Sequence, residues 1–144
     1  MSYIDKNGEK KRPYIIHRSS IGCYERTLAM LIEKYAGAFP TWLSPVQAKI
    51  LPLSDKYNDY AEKVTKALKD KGIRVECDYR AEKIGYKIRE ARLERSPYIL
   101  VVGEQEAFSD TVAVRSRKLG DEGSISLVDF EKRLLDEITN KSID

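Results

Sequence analysis

This 144-residue chain has a single histidine and only two cysteines, which limits the metal and redox chemistry open to it. Cys23 and Cys77 lie far apart without a Cys-x-x-Cys spacing, so we expect two reduced thiols in a cytoplasmic protein. The sequence has no apolar run long enough to span a membrane, and no apolar signal region follows its charged N-terminus. We therefore do not expect a disulfide scaffold, a membrane span or a secretion signal.

A large excess of charge of one sign is also missing. Lys and Arg number 26 against 23 for Asp and Glu, which leaves a formal net charge of +3. This small excess permits an anionic partner but does not require one. A chain of this length forms one domain, or one domain with an appendage, and can bury about two-thirds of its unfolded surface.

The N-terminal part of the chain has the pattern of a β-hairpin followed by a helix. Apolar residues 3–4 and 14–16 lie on either side of Asn7-Gly8, a dipeptide that accepts the positive φ angles of tight turns. Apolar residues then recur at helical spacing over residues 20–36. Because this helix is apolar nearly all round, we expect it to need neighbours. When they are absent, we expect either self-association through the helix or early hydrogen exchange of its amides.

The next segment, residues 39–45, contains two prolines and two aromatic residues. Such a composition predicts a linker that packs on the following domain, since flexible tethers rarely carry large aromatic side chains. Beyond it, strand and helix patterns alternate. The predicted strands are residues 50–53, 73–79, 98–102 and 112–117, and the predicted helices run from residue 54 or 55 to Gly72, over residues 82–94, and from the capping pair Ser126 and Asp129. The expected fold is α/β, with a mostly parallel mixed sheet of about five strands flanked by three helices.

Residues 80–95 form a basic stretch with six basic and three acidic residues. Arg89, Arg92 and Arg95 are spaced at i, i+3 and i+6 and are predicted to share one helix face. The stretch follows the predicted strand 73–79, and ligands bind outside the carboxyl ends of parallel strands. A solvated helix face is the alternative interpretation.

Two segments resemble a known family. HRSSIGCYER, residues 17–26, is similar to motif 3 of a class II aminoacyl-tRNA synthetase, and FPTWLSPVQ, residues 39–47, is similar to the junction that leads to its anticodon-binding domain. Together they resemble the threonyl-tRNA synthetase family. The resemblance implies that residues 1–46 are the remnant of the catalytic domain and that residues 47–144 are a class IIa anticodon-binding domain. The family's reaction is the ATP-dependent attachment of threonine to its tRNA.

The resemblance also implies roles for two N-terminal residues. Arg26 would stack on the adenine of ATP, because a planar cation packs well on a π face; an ion pair with Glu25 or Glu33 is the alternative. His17 would be one of three zinc ligands, but this chain has no upstream His or Cys to supply the other two. Motifs 1 and 2 are not found either. We therefore expect no cofactor and no catalysis from this chain alone, whereas zinc, ATP and magnesium serve the parent enzyme.

The remaining implied site binds RNA. Arg80, Lys83, Arg89, Arg92 and Arg95 are expected to contact phosphates. Glu106 and Arg115 match family residues that read anticodon bases, and a carboxylate can accept both N1–H and N2–H of a guanine. A Glu106–Arg115 surface ion pair is the alternative. The family usually has Asn where this chain has Ala81, so we expect weaker discrimination at one anticodon position.

The sequence thus predicts the C-terminal part of a threonyl-tRNA synthetase, whose partner is the anticodon loop of threonine tRNA. A free-standing RNA-binding or regulatory module derived from such a synthetase is the main alternative. The related domain of a prolyl-, glycyl- or histidyl-tRNA synthetase is a third interpretation, and the motif 3 segment argues against it.

Overall fold

The computed structural model describes residues 1–19 and 21–143. The chain divides into two compact units, Met1–Met30 and Leu31–Asp144. Ser20, where the predicted first helix starts, lies outside the described residues. Among the described helices, none has the length and apolar character needed to cross a membrane.

The first unit contains the predicted hairpin, but with a different second strand. β1 (Tyr3–Ile4) pairs antiparallel with β2 (Lys10–Lys11), and Gly8 takes the positive φ of +82° that the turn requires. The prediction that residues 14–16 form the second strand is wrong, and these side chains are exposed. The turn sets the register: Ile4 pairs with Lys10, the first residue of β2, and Tyr3 pairs with Lys11.

The predicted helix over residues 20–36 is shorter in the structure. α1 spans Tyr24–Tyr35, and Gly22 at φ +80° lies before its first turn. At the other end Gly37 adopts φ +77°, and its N–H donates to the Ile32 carbonyl at 3.0 Å. A glycine in this left-handed conformation is a common helix terminator, as the sequence indicated.

Five strands of the second unit form one sheet in the order β4-β3-β5-β6-β7. β3 lies between β4 and β5 and is parallel to both, whereas β5-β6 and β6-β7 are antiparallel. The strands are β3 (Ala48–Pro52), β4 (Val75–Cys77), β5 (Tyr98–Val102), β6 (Thr111–Ser116) and β7 (Gly120–Ser126). The prediction of an α/β fold with a mixed five-stranded sheet is confirmed.

Helices cover both faces of this sheet. A short 3₁₀ turn leads into α2 (Asn58–Asp70), which packs with α5 (Leu127–Thr139) on one face around buried Phe130 and Leu134. α3 (Ile84–Leu93) packs on the other face, where Ala91 contacts Leu51 and Ile99. The sequence did not predict α4 (Glu104–Ser109), since its six residues are too few to show a helical repeat.

The linker at residues 39–45 packs against the sheet unit, as predicted. Thr41 and Ser44 are buried, and the backbone carbonyls of this segment accept hydrogen bonds from side chains of the domain. Arg74 donates to the Trp42 carbonyl at 2.9 Å and to the Ser44 carbonyl at 2.8 Å. Arg117 donates to the Phe39 carbonyl at 2.8 Å. These bonds fix the path of the chain into β3.

Candidate nucleic-acid interface

Among the described helices, α3 covers only part of its side of the sheet. α3 covers Leu51, Ile99 and Val101, and on the same side of β6 the residues Ala113 and Arg115 are only half-buried. They share this side because Ala113 pairs with Val101 and Arg115 pairs with Ile99, and directly opposed residues point to the same face. We call this surface the open face: Thr111, Ala113 and Arg115 of β6 with their β7 partners Ser126, Ser124 and Asp121.

Two of the predicted RNA-binding residues meet at one end of the open face. Arg115 donates to Asp121 Oδ2 at 2.6 Å, and its side chain is 33% exposed. Arg92, in the last turn of α3, lines the same cavity as Arg115. Arg89 lies one turn earlier on α3 and is also exposed. The structure therefore places Arg89 and Arg92 on the flank of α3 that borders the open face.

Glu106 reaches the open face from α4, and it is buried. Its Oε2 accepts the Gly103 N–H at 3.0 Å, and its Oε1 accepts the Ser124 hydroxyl at 3.1 Å. The residue is only 8% exposed. The alternative of a Glu106–Arg115 ion pair is wrong, because Arg115 pairs with Asp121. The β6–β7 register explains this pairing, because Asp121 lies directly opposite Arg115, whereas the Glu106 carboxylate accepts from Ser124, which lies opposite Ala113.

Arg80 lies on the other flank of α3, in an ion-pair network. The Asp78 carboxylate accepts hydrogen bonds from Arg80 Nε at 2.9 Å and from Arg80 Nη2 at 2.7 Å. The Glu90 carboxylate accepts a hydrogen bond from the same guanidinium. These hydrogen bonds from Arg80 lower the pKa of the buried Asp78 carboxyl to about 2. The pKa of Glu90 is lowered as well, chiefly by Arg80 and then by Tyr86. The network fixes the loop between β4 and α3, while about half of the Arg80 side chain remains exposed.

The loop after β4 also borders a crevice at the carboxyl ends of β3 and β4. The chain leaves β3 toward α2 on one face and leaves β4 toward α3 on the other, and ligands favour such crossing points in α/β sheets. A cavity of about 230 Å³ lies there, lined by Leu53, Ser54, Asp55, Arg80, Ala81, Glu82 and Lys87. Ala81, the position where the family has Asn, is therefore one of the residues that line this cavity.

Sequence reasoning missed Lys87 as a member of this crevice. Lys87 is only 3% exposed, and its ammonium donates to the Asp78 carbonyl at 2.9 Å and contacts the Pro52 carbonyl at 3.5 Å. These two contacts of the Lys87 ammonium link the carboxyl ends of β3 and β4. The sequence could have indicated that Lys87 is buried. Lys87 lies three residues after Ile84 and four before Ala91, which is the spacing of residues on the buried face of a helix.

Two other basic residues differ in position. The prediction that Arg95 shares a helix face with Arg89 and Arg92 is wrong, because α3 ends at Leu93 and Arg95 adopts a left-handed φ of +58°. Pro97 prevents the helix from continuing, and the Arg95 side chain instead lies beside Gly37. Lys83 is exposed at the N-cap position of α3, at the mouth of the loop that holds Ala81.

The N-terminal candidates lie in the first unit. Arg26 is exposed on α1 and, within the described residues, forms no ion pair with Glu25 or Glu33. His17 is exposed outside any helix or strand. The described residues bring no three His, Cys, Asp or Glu side chains together around a common point, so they do not fit a zinc ion.

Comparison with known proteins adds three findings. The family described as "Anticodon binding domain" matches residues 47–137. Threonine–tRNA ligases of Clostridium botulinum (strain Eklund 17B / Type B) and Clostridium perfringens (strain SM101 / Type A) are 79% and 73% identical over 141 residues, which is 98% of this chain. A solved RNA-binding domain of threonyl-tRNA synthetase from Cryptosporidium parvum Iowa II superposes with a TM-score of 0.76 at 38% identity, covering 91% of this chain and 33% of that chain. The chain spans only 22% of the length of both clostridial relatives.

Proposed function

Because this chain belongs to the anticodon-binding domain family, we propose that its open face and the adjoining crevice bind the anticodon loop of threonine tRNA. One observation carries the proposal: the match to threonine–tRNA ligases, which covers 98% of the chain, includes both surfaces. The physical arrangement supports it. Single-stranded RNA presents splayed bases and a phosphate backbone, and these suit an open sheet surface bordered by arginines.

In this proposal the chain makes two kinds of contact with the RNA, one with the phosphate backbone and one with the bases. Arg89 and Arg92 on α3, with Arg80 and Lys83 near its start and Arg95 beyond its end, supply cations for the RNA backbone. Backbone contacts provide affinity and register but carry no sequence information. Glu106 and the residues around it then provide the choice of base.

Glu106 can read a base in spite of its burial. Each carboxylate oxygen has two acceptor sites, and Gly103 and Ser124 use one on each. A guanine could take the place of the Ser124 hydroxyl at Oε1, while the Gly103 N–H keeps Oε2 and the side-chain angle fixed. The exchange replaces a neutral donor by another donor, so it leaves no buried charge without a partner.

Ala81 removes one contact from this scheme. Its methyl group cannot hydrogen-bond, and it lines the crevice at the carboxyl ends of β3 and β4. We infer weaker discrimination at the nucleotide that occupies this crevice, with no effect on the fold.

For the whole protein we propose the ligase reaction, the ATP-dependent attachment of threonine to its tRNA. In it residues 1–46 would belong to the catalytic domain, with Arg26 on the adenine of ATP and His17 beside zinc ligands from elsewhere. The family match begins at residue 47, where we place the start of the anticodon-binding domain. A free-standing regulatory module is not favoured, since 98% of the chain matches the ligases. A cytoplasmic location accords with the two free cysteines and the tRNA partner.

We also propose that α1 mediates self-association when no other domain covers it. None of its residues is buried, and its apolar side chains Leu28, Met30 and Ile32 are 54%, 57% and 47% exposed. Proteins usually hide contiguous apolar surface of this kind against a partner.

Fluorescence anisotropy tests the main proposal. The chain is titrated against threonine tRNA, against the same tRNA with a changed anticodon, and against an unrelated tRNA, all at one salt concentration. We expect the cognate anticodon to bind about tenfold or more tightly than the changed one, as the loss of one base contact implies. Equal affinity for all three RNAs would refute anticodon binding and leave only general electrostatic attraction.

A further inference from the structure

The crevice at the carboxyl ends of β3 and β4 contains a buried lysine to which the proposed function assigns no role. Lys87 lines this cavity of about 230 Å³ and is only 3% exposed. We propose that the Lys87 ammonium donates a hydrogen bond to the keto oxygen O4 of a uracil base in the crevice, and that it thereby selects uracil over cytosine. This inference rests on the proposed binding of the anticodon loop, to which it adds a residue that determines which base is accepted.

The Lys87 ammonium has donor capacity that the protein does not use. An ammonium carries three N–H donors. One of them donates to the Asp78 carbonyl at 2.9 Å, and the contact with the Pro52 carbonyl, at 3.5 Å, is long for a hydrogen bond. Within the part of the chain that the structure describes, this ammonium forms no ion pair with a carboxylate. A buried cation that is held only by carbonyls is stabilised by a further acceptor, because its charge is otherwise poorly compensated.

The charges around the crevice favour a neutral base over a phosphate. The lining contains two basic residues, Arg80 and Lys87, and two acidic residues, Asp55 and Glu82. Arg80 is already paired with two carboxylates, so its charge is compensated within the protein. A phosphate in the crevice would approach Asp55 and Glu82, and like charges repel. A base carries no net charge and therefore does not meet this repulsion.

Uracil matches the donors and acceptors of this lining. Its Watson–Crick edge presents the keto oxygen O4 beside the N3–H donor, so O4 can accept from Lys87 while N3–H donates to an oxygen of the lining. Side-chain oxygens are available on Ser54, Asp55 and Glu82. Cytosine carries an amino group in place of O4, and that donor would face an ammonium that can only donate. Guanine also has a keto oxygen, but it is the base that we assign to Glu106.

The residue at position 81 makes the Lys87 contact decisive for the choice of base. The family's Asn would offer a base both a donor and an acceptor, whereas the Ala81 methyl group offers neither. Arg80 is assigned to the RNA backbone above, so Lys87 is the buried cation that remains to read the base. Recognition of O4 by Lys87 accounts for the discrimination that is left at this nucleotide without Asn.

Sulfur substitution in the RNA tests the inference directly. Anticodon stem-loops of threonine tRNA are prepared with one 4-thiouridine in place of each uridine of the loop in turn, so that a weakly accepting sulfur replaces O4 while N3–H is kept. Each RNA is titrated against the full chain as wild type and as Lys87→Met, which removes the ammonium and keeps a long apolar side chain. Lys69→Met is the matched control, because Lys69 is exposed on α2, on the opposite side of the sheet from α3.

The decisive readout is the coupling between the protein change and the RNA change. One 4-thiouridine, or a cytidine at the same position, should weaken wild-type binding about tenfold and weaken Lys87→Met about twofold or less, because the contact is already lost. Lys69→Met should respond to the substitutions as wild type does. If every substitution weakens both proteins equally, Lys87 does not read the base and the inference is wrong. A loss in Lys87→Met that is equal for cognate and unrelated RNAs would show only a structural link between β3 and β4, and would also overturn it.

Photocrosslinking gives a second readout that needs no variant. Each 4-thiouridine stem-loop is irradiated with near-ultraviolet light in complex with wild type, and mass spectrometry identifies the residues to which the thiobase becomes attached. We expect one of these RNAs to attach to residues that line the crevice, among them Lys87 and Leu53. Attachment only outside the crevice would overturn the inference even if Lys87→Met did not fold. Failure of the proposed function is distinct, since it appears as equal wild-type binding of cognate and changed anticodons.

Discussion

Replacing Asp78 by Asn should destabilise the sheet unit in a way that depends on pH. Asp78 is buried, and its carboxylate accepts three hydrogen bonds from Arg80, through the backbone N–H, Nε and Nη2. These bonds lower its pKa from 3.8 to about 2. A carboxyl whose pKa is lower in the folded state stabilises the fold above its unfolded pKa, and that contribution disappears as the pH falls toward the folded value.

The size of the effect follows from that shift. Each pKa unit corresponds to about 1.4 kcal/mol, so ionised Asp78 contributes about 2 kcal/mol to the free energy of unfolding at pH 7. The amide of the Asp78→Asn variant cannot carry the charge and matches the Arg80 fork poorly. For a chain of this size, a loss of about 2 kcal/mol lowers the midpoint of thermal unfolding by roughly 5–8 °C.

Circular dichroism of Asp78→Asn and wild type, melted at pH 7 and again near pH 2.5, measures the difference. The gap between the two proteins should be near its full size at pH 7 and should shrink at the acidic pH, where wild-type Asp78 is becoming protonated. Glu76→Gln is the matched control, because Glu76 is an exposed acid two residues earlier on β4. A gap of the same size at both pH values would show that packing, rather than the charge, explains the cost.

Three further predictions concern other parts of the molecule. Glu106→Gln should keep most of the stability, since the amide oxygen can still accept from the Gly103 N–H and the amide nitrogen can donate to the Ser124 hydroxyl. The variant should nevertheless weaken binding of the cognate anticodon by about 1–3 kcal/mol relative to a changed one. An equal loss for both anticodons in anisotropy titrations would contradict base reading by Glu106. Cys23 is exposed, whereas burial raises the pKa of the Cys77 thiol, so Ellman's reagent should modify Cys23 rapidly and Cys77 slowly, and Cys23→Ser should remove the fast phase. Leu28→Glu combined with Ile32→Glu should abolish concentration-dependent association in light scattering, whereas a wild-type chain that is monomeric at all concentrations would refute association through α1.

The sequence predicted the central strands well because their apolar patterns are strong. Residues 98–102 are continuously apolar and form β5, whose two sides are covered by helices. The capping pair was also informative: Ser126 Oγ accepts the Asp129 N–H at 3.1 Å and starts α5. Weakly patterned elements were not predictable. β7 is rich in Gly and Ser, and α4 is a six-residue turn that ends where Asp110 adopts φ +53°.

The candidate site was harder to predict, because side-chain partners depend on register. Spacing alone assigned Arg95 to the face of Arg89 and Arg92, but the helix ended two residues before it. Residue type alone suggested that Glu106 could pair with Arg115, whereas the β6–β7 register places Asp121 opposite Arg115, and these two residues form the ion pair. The packing of α3 on the sheet places Arg92 in the same cavity as Arg115, and no local pattern relates these residues, which are 23 positions apart. Local chemistry therefore supplies candidates for RNA binding, and the arrangement of the sheet determines which of these candidates lie close together.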